Sequence, residues 1–199
     1  AGDQSTNSGY AYDLNGNLAA DPTYTYLYDA ENQLVEVTSG QTTVASMTYD
    51  SGGRRASLTT ASGTTSFHWA GSVLVAESNA SGAVLATYAY GPTGAPISMT
   101  RAGQTYFYQT NAHGDVVSLT DSTGTVVNSY TYDPWGAPLS ASETVQNPFR
   151  YAGYYYDTST GLYYLWHRYY DPDLRRFLTQ DLVFGALSDP ACLNPYLHV

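Results

Sequence analysis

A tyrosine-aspartate step recurs along this chain, at Tyr12-Asp13, Tyr28-Asp29, Tyr49-Asp50, Tyr132-Asp133, Tyr156-Asp157 and Tyr170-Asp171. A period near twenty residues is the signature of a chain built by repetition, so the repeating unit has to be understood before any residue in it is given a role. Weaker variants at Phe67-His68-Trp69, Tyr90-Gly91 and Tyr108-Gln109 extend the series. Tyr49 and Tyr90 are 41 residues apart and Tyr90 and Tyr132 are 42 apart, so two units fit between each pair of anchors.

Each unit reads as a hairpin. Side chains alternate in Tyr24-Thr25-Tyr26-Leu27-Tyr28, Leu34-Val35-Glu36-Val37, Thr87-Tyr88-Ala89-Tyr90 and Asn128-Ser129-Tyr130-Thr131-Tyr132, and every second one would share a face. The 21 tyrosines, with threonine and valine, favour a pleated, half-buried surface. Between these runs stand Asn15-Gly16, Ser39-Gly40, Gly52-Gly53, Ser62-Gly63, Ser81-Gly82, Gly103 and Ser122-Thr123-Gly124, whose glycines supply the backbone angles of tight turns. The aspartate of each step is expected to bond amides two residues on and set the turn, while the tyrosine stacks on its counterpart in the next unit. The pattern predicts an all-β chain of consecutive antiparallel hairpins, a ribbon or open spiral. Helix is expected to be minor, the best candidate, Leu174 to Leu187, being broken by Gly185 and flanked by Pro172 and Pro190. The loosest stretch, Ala137 to Asn147, marks the change to a tyrosine-dense C-terminal block.

Charge narrows the function classes. Seventeen acidic residues face seven basic ones, all arginine, and the net charge of -10 repels nucleic acid and anionic membranes. Without lysine there is no Schiff base, phosphate-loop lysine or lysine isopeptide crosslink. A single cysteine, Cys192, precludes an intrachain disulfide and a cysteine-rich zinc site. No apolar run approaches the ~18 residues of a membrane span, and no signal peptide opens the chain. The start at Ala1 suggests an excised or processed segment, so the lack of a signal says little about compartment.

The C-terminal block carries Tyr132-Asp133-Pro134-Trp135-Gly136-Ala137-Pro138, Asn147-Pro148-Phe149-Arg150-Tyr151-Ala152-Gly153, Tyr156-Asp157, Thr160-Gly161-Leu162-Tyr163-Tyr164, Arg168-Tyr169-Tyr170-Asp171-Pro172 and Arg176-Phe177-Leu178-Thr179-Gln180-Asp181. It closely resembles the core-associated region of the Rhs (YD-repeat) proteins, related to the shells of Tc-toxin C components and to teneurins. The match runs almost continuously from Tyr130 to Asp181, and the upstream units resemble the same family's repeats. The resemblance implies a β-ribbon wound into a hollow shell around a toxic C-terminal domain, with the core block plugging one end. It also implies division into a YD-repeat ribbon over 1–129 and a core-like block over 130–199, in one continuous unit. In such families an aspartate-based self-cleavage near Asp-Pro-x-Gly-Leu releases the cargo. Here Leu182 follows Asp181 where proline is usual, and Asp189-Pro190-Ala191-Cys192-Leu193 puts cysteine where the motif has glycine. The cleavage site and any toxin are therefore expected outside this chain. Arg175 stands where the family has glycine before Arg-Phe.

Size limits the shell. Nine units of two strands at ~4.8 Å spacing make a ribbon roughly 85 Å long, whereas a wall around a ~100-residue cargo needs a circumference of roughly 130 Å. The chain is expected to be part of a larger shell, or to complete its sheet with other copies.

The chemical candidates each have a plainer reading. Cys192 with His167 or His198 lacks a family signature and reads as a small buried hydrophobe. Asp181 with Asp189 could share a proton, but each also reads as a turn residue. Asp13 to Asn17 lacks the full ligand spacing of a calcium loop, and His68, His113, His167 and His198 form no i, i+4 pair. Asn79-Ala80-Ser81 is a sequon that arises readily by chance, and the tyrosine stripe reads as packing before it reads as a sugar platform. Arg150, Arg168 and Arg176 are expected to stack on rings or pair with Asp157, Asp171 and Asp173. Neither cofactor, metal nor catalytic residue is expected. The structural positions are Tyr12, Asp13, Tyr28, Asp29, Tyr49, Asp50, Tyr132, Asp133, Trp135, Arg150, Tyr156, Asp157, Arg168, Tyr170, Asp171, Arg176, Phe177 and Asp181. The chain thus reads as a non-enzymatic module of a secreted or surface protein, part of a toxin shell, whose partners are other YD segments or its own copies, with no nucleic acid and no transmembrane segment. The alternatives are a filament subunit polymerising through open β edges and an adhesion or glycan-binding module.

Overall fold

The fold is that of a computed structural model, which describes residues 9–180. Fourteen strands follow one another in sequence order in a single antiparallel sheet. They are β1 (Ala11–Tyr12), β2 (Leu18–Ala20), β3 (Thr25–Tyr28), β4 (Leu34–Ser39), β5 (Thr42–Tyr49), β6 (Arg55–Thr60) and β7 (Gly63–Ala70), then β8 (Val73–Asn79), β9 (Val84–Tyr90), β10 (Pro96–Arg101), β11 (Gln104–Thr110), β12 (Val116–Thr120), β13 (Val126–Tyr132) and β14 (Pro138–Glu143). A second sheet holds β15 (Tyr155–Asp157), β16 (Leu162–Leu165), β17 (Arg168–Asp171) and β18 (Arg176–Phe177). Among the described residues the helical content is one 3-10 turn, Tyr151–Gly153, and the described part of the Leu174 helix candidate is turn and strand.

The aspartate sets its turn as expected and reaches further. Asp50 Oδ1 accepts the amides of Gly52 and Arg54, at i+2 and i+4. The same double acceptance occurs at Asp13, Asp29, Asp121 and Asp133, and at Asn79 and Asn111. Position i+3 then lies in the left-handed region, occupied by Gly53 (φ 76°) after Asp50 and by Asn32 (φ 61°) after Asp29. Gly91 keeps the backbone bonds of the turn without a side-chain acceptor.

The tyrosine does something other than the ring ladder expected of it. Each of these turns is flanked by a bulge, which pairs the ring-bearing residue with a residue at the start of the return strand, as in Tyr28↔Leu34, Tyr49↔Arg55 and Trp69↔Leu74. The ring then donates to the carbonyl of that paired position one unit earlier: Tyr28 to Leu18 (2.8 Å), Tyr49 to Leu34 (2.6 Å), Trp69 Nε1 to Arg55 (2.8 Å), Tyr90 to Leu74 (2.6 Å) and Tyr132 to Val116 (2.8 Å). A buried ring carrying a donor serves here because phenol and indole both span from strand to strand, and each such bond contributes about 1 kcal/mol. The series breaks at Thr110, whose side chain is too short. The turn there starts at Asn111, so the unit marked by Tyr108-Gln109 is shifted by two residues from where the sequence suggested it.

One face of the ribbon is apolar, with Val37, Ala45, Met47, Phe67, Met99 and Leu119 buried. The other carries cross-strand hydroxyl pairs, Thr48 with Ser57, Thr59 with Thr64 and Thr131 with Ser140. Two expectations are corrected. Tyr156-Asp157 and Tyr170-Asp171 belong to the second sheet, so the ribbon has seven two-strand units instead of nine. The stretch taken as loose, Ala137 to Asn147, contains β14, an edge strand exposed at all six residues. Its small polar side chains hide a strand that backbone pairing with β13 creates.

Candidate functional site

The second sheet and the 3-10 turn, together the block, lie on the apolar face of the ribbon, and the seam between them is where the buried polar groups collect. Its centre is Arg55. In other units the return-strand residue paired with the ring position is apolar, as at Leu18, Leu34, Leu74 and Val116, and here it is a cation only 1% exposed. The guanidinium carbon sits 4.5 Å from the Phe67 ring centroid, 4.8 Å from Tyr155 and 4.5 Å from Tyr164. Nη1 pairs with Asp157 Oδ2 and donates to the Tyr169 hydroxyl (3.0 Å), while Nε and Nη2 meet no acceptor. Burial opposes the Arg55 charge, but the Asp157 carboxylate together with the Tyr169 and Tyr155 hydroxyls outweighs it, so the guanidinium is held protonated. Burial likewise pushes the Asp157 carboxyl up, and Arg55 draws it back only in part.

Around this pair the ribbon offers backbone as well as side chains. The amides of the same return-strand position, whose carbonyls hold the rings, bond the block: Arg55 N to the Tyr164 hydroxyl (2.8 Å), Val116 N to Arg150 O (3.0 Å) and Leu18 N to Leu178 O (2.8 Å). One strand position therefore ties a unit to its neighbour through C=O, except where Thr110 breaks the series, and at three units ties the ribbon to the block through N–H. Glu77, also buried, accepts from the Tyr155 hydroxyl (2.8 Å) and from Arg101 (3.0 Å). Arg150 pairs with Glu143 (3.0 Å) over the rings of Tyr130 and Tyr156. A cleft of about 860 Å³ beside these groups is lined by Glu77, Arg101, Arg150 and Asp157.

The unit that breaks the repeat is a seat for the block. Where Thr110 supplies no ring, the 3-10 turn packs in: a side-chain carbon on Gly153 would lie 3.6 Å from Pro96 Cδ and 3.8 Å from Gly114 O. Ala152 N donates to Asp115 Oδ1 (2.9 Å). Burial alone would raise the Asp115 carboxyl, but this bond and those from His113 and Asn111 hold it below the usual range. At the next turn, three block hydroxyls converge on consecutive carbonyls: Tyr151 on Pro134, Tyr170 on Trp135 and Tyr163 on Gly136, each at 2.9 Å. Gly136 (φ 92°) admits no side chain, since a Cβ would stand 2.6 Å from Tyr151 Cδ1.

Of the positions expected to matter, Tyr28, Tyr49, Tyr132, Asp13, Asp29, Asp50 and Asp133 belong to the ribbon's turns and clips, and Tyr12 opens the first turn. Trp135, Arg150, Tyr156, Asp157 and Tyr170 meet at the seam. Arg168 stacks 3.7 Å from the Phe177 centroid, Asp171 caps the β17–β18 turn, and Arg176 stands opposite Asp171 in register. The partners differ from expectation, because Asp157 takes its arginine from the ribbon, 102 residues away, and Arg150 takes Glu143. Asp181, Asp189, Cys192 and His198 lie outside the described residues. Sequence reasoning missed Arg55, Glu77 and Arg101. For Arg55 a signal existed, a cation in a column otherwise apolar. Arg175 adopts φ 59°, the conformation its glycine-like position demands, and stacks 3.7 Å from the Trp135 centroid. Among the described residues no three His, Cys, Asp or Glu side chains could hold a metal ion, and no helix is long and apolar enough to cross a membrane.

A family model described as teneurin YD-shell matches residues 1–198. The tRNA3(Ser)-specific nuclease WapA of Bacillus spizizenii is 40% identical over 195 residues, covering 94% of this chain and 8% of that protein. The double-stranded DNA deaminase toxin A of Burkholderia cenocepacia is 31% identical over 214 residues, covering 86% of this chain and 15% of that protein. Among solved structures, TcdB2-TccC3 superposes with a TM-score of 0.72 at 21% identity, over 94% of this chain and 10% of that one. The Photorhabdus luminescens Tc holotoxin pore gives 0.72 at 20%, with the same coverage. At such identity these structures speak to fold alone. The relatives' names overturn the expectation of a non-enzymatic chain: the proteins that it matches over most of its length are named as nucleases and as a deaminase toxin. That expectation came from finding no catalytic constellation in one segment, and the chain spans about 8% of the nuclease relatives' length.

Proposed function

The chain belongs to the teneurin YD-shell family, and from that premise we propose that it is a wall-and-plug portion of the shell of a secreted or surface-exposed toxin whose activity is enzymatic and directed at nucleic acid. The observation that carries this reading is the seated block. A free-standing ribbon would expose its apolar face, and here the block covers that face through a buried ion pair and hydroxyl bonds, leaving the hydroxyl-rich face outward. Such a wall separates an interior from solvent. With fourteen strands at ~4.8 Å it measures about 62 Å, so further strands are required to close an enclosure. The names of the relatives support the class of cargo, tRNA cleavage or deamination of double-stranded DNA.

The test is electron cryomicroscopy and limited proteolysis of the full-length protein containing this segment, with activity assayed on tRNA and on double-stranded DNA. The expected result is a hollow particle with this segment in its wall, an interior domain resistant to protease, and activity that rises when the shell is opened. A solid or extended particle whose activity is the same before and after opening would overturn the reading. One observation favours a second reading. β14 ends the sheet and is exposed along Pro138–Glu143, and an open edge of this kind can add strands from another copy to make a filament. Micrographs of the same sample separate the two.

A further inference from the structure

The cleft of about 860 Å³ beside the seam has two walls of different origin. One is the ribbon edge opposite the YD turns, where the β6–β7 and β8–β9 turns come forward with Arg101 at the end of β10. The other is the stretch 146–148 and β15, with Thr158 and Ser159 after it. The charges in this lining are already matched: Arg101 holds Glu77 at 3.0 Å, Arg150 holds Glu143 at 3.0 Å, and Asp157 is paired with Arg55. An occupant without net charge suits it. What remains unmatched is hydrogen-bonding capacity. Arg101 Nε, Arg150 Nε, Asp157 Oδ1 and Ser159 Oγ are buried and meet no partner, a state that folded proteins avoid. Arg150 and Asp157 are only 4% and 3% exposed, so neither can swing out to water. Two of the four atoms are N–H donors and two are oxygens that accept.

We propose that the cleft binds a single extended stretch of polypeptide without net charge, supplied by the part of the full-length protein outside this chain. Each peptide unit carries one N–H and one C=O, the same balance of donor and acceptor that the four atoms require. Size agrees by two routes. At ~4.8 Å per strand the ribbon wall from β6 to β10 is about 19 Å long, the span of about six extended residues at ~3.3 Å each. A strand filling ~4.8 Å by ~10 Å in cross-section takes about 160 Å³ per residue, so a cleft of 860 Å³ holds about five. A sugar chain fits less well, because the two rings in the lining are already engaged: Tyr156 by Arg150 at 4.6 Å and Tyr163 at 4.9 Å, and Tyr155 by Arg55 at 4.8 Å and Phe67 at 5.4 Å. Bonded to Arg101 on the ribbon and to Asp157 and Ser159 on the block, the strand staples the two together. Its source rests on the reading of the chain as part of a larger shell. The chain spans 8% of a nuclease relative, and a segment tethered in the same protein meets the cleft at a high effective concentration.

With seven arginines and no lysine, the chain gives a sparse set of side-chain Nε–H signals, which nitrogen NMR can follow one by one. The 199-residue chain is titrated with short overlapping peptides that tile the rest of the full-length protein. The expected result is that one peptide, with its overlapping neighbours, shifts the Nε–H signals of Arg101 and Arg150 and leaves that of Arg54, whose Nε already donates to Asp50 Oδ2 (2.9 Å). Arg101→Lys, which keeps a cation facing Glu77 but removes the Nε donor, should weaken this peptide about ten-fold. Ala80→Trp, at an exposed turn position in the lining, should block it. No peptide that shifts both signals, a peptide whose binding neither variant changes, or the same two signals moving with a neutral oligosaccharide such as maltohexaose would each overturn the proposal. The two readings fail separately: a hollow particle whose peptides do not bind sinks only the strand site, and a bound peptide in a solid particle sinks only the shell.

Discussion

The ribbon and the block solve the same problem, holding short strands together, by opposite means. In the ribbon two local devices recur from unit to unit, an aspartate or asparagine that accepts two amides within four residues and a ring that clips the previous unit. The side-chain contacts that fasten the block to the ribbon are each used once and join residues far apart in the chain, as Arg55 Nη1 to Asp157 and Arg55 N to the Tyr164 hydroxyl do. Repetition makes the ribbon tolerant, since a unit that loses its clip is still paired to strands on both sides. The Thr110 unit is such a loss within the natural sequence, and the ribbon continues through it. The block has no such redundancy, so its energetics should concentrate in a few groups.

That contrast can be broken most forcefully at Arg55. Asp157→Ala leaves a buried cation without its carboxylate, and urea unfolding should show a loss of about 3–5 kcal/mol. Combining Arg55→Met with Asp157→Leu should recover most of it, because two apolar groups of similar volume need no desolvation. Gly136→Ala comes next. The added carbon would meet the Tyr151 ring at 2.6 Å in a left-handed backbone, and a loss of about 2–3 kcal/mol is expected, with the near-ultraviolet circular dichroism of the tyrosines perturbed. Thr110→Tyr would restore the repeat and should harm the molecule by about 1–3 kcal/mol, because the ring would compete with the 3-10 turn for its seat. If it stabilised instead, the seat would be an accident of composition.

Within the ribbon the same thermal and urea measurements should register little. Tyr90→Phe removes one clip and should lose about 1 kcal/mol. The smallest effect of all is expected in the block's own β17–β18 turn, for Arg175→Gly, where relief of the left-handed backbone and loss of the Trp135 stack oppose each other to within roughly 1 kcal/mol.

The ribbon was legible in the sequence because its rules are local. Asp50 acts on Gly52 and Arg54, and both lie in the window that defines the motif. The clip was not, because Tyr-to-carbonyl bonding depends on a bulge that shifts register, and nothing in the letters distinguishes it from ring stacking. The nine-unit count failed for a related reason: Tyr156-Asp157 and Tyr170-Asp171 carry the same letters but fold in another sheet, where Asp157 Oδ2 serves Arg55. The seam was largely hidden, since partners more than a hundred residues apart leave no spacing to read. Arg55 alone broke a visible column of apolar residues. Enzyme association was illegible for a different reason, as it rests on relatives of which this chain is a small part.

The central claim, that one buried seam seats the block while the ribbon holds itself, is tested most directly by residue-resolved amide exchange in Asp157→Asn. The amides of Leu18, Arg55 and Val116, which bond the block, should lose protection together, while the turn amides of Ala83 and Thr125 at the ribbon's other edge keep theirs. Unchanged protection at those three positions, or a uniform loss along the whole ribbon, would contradict it.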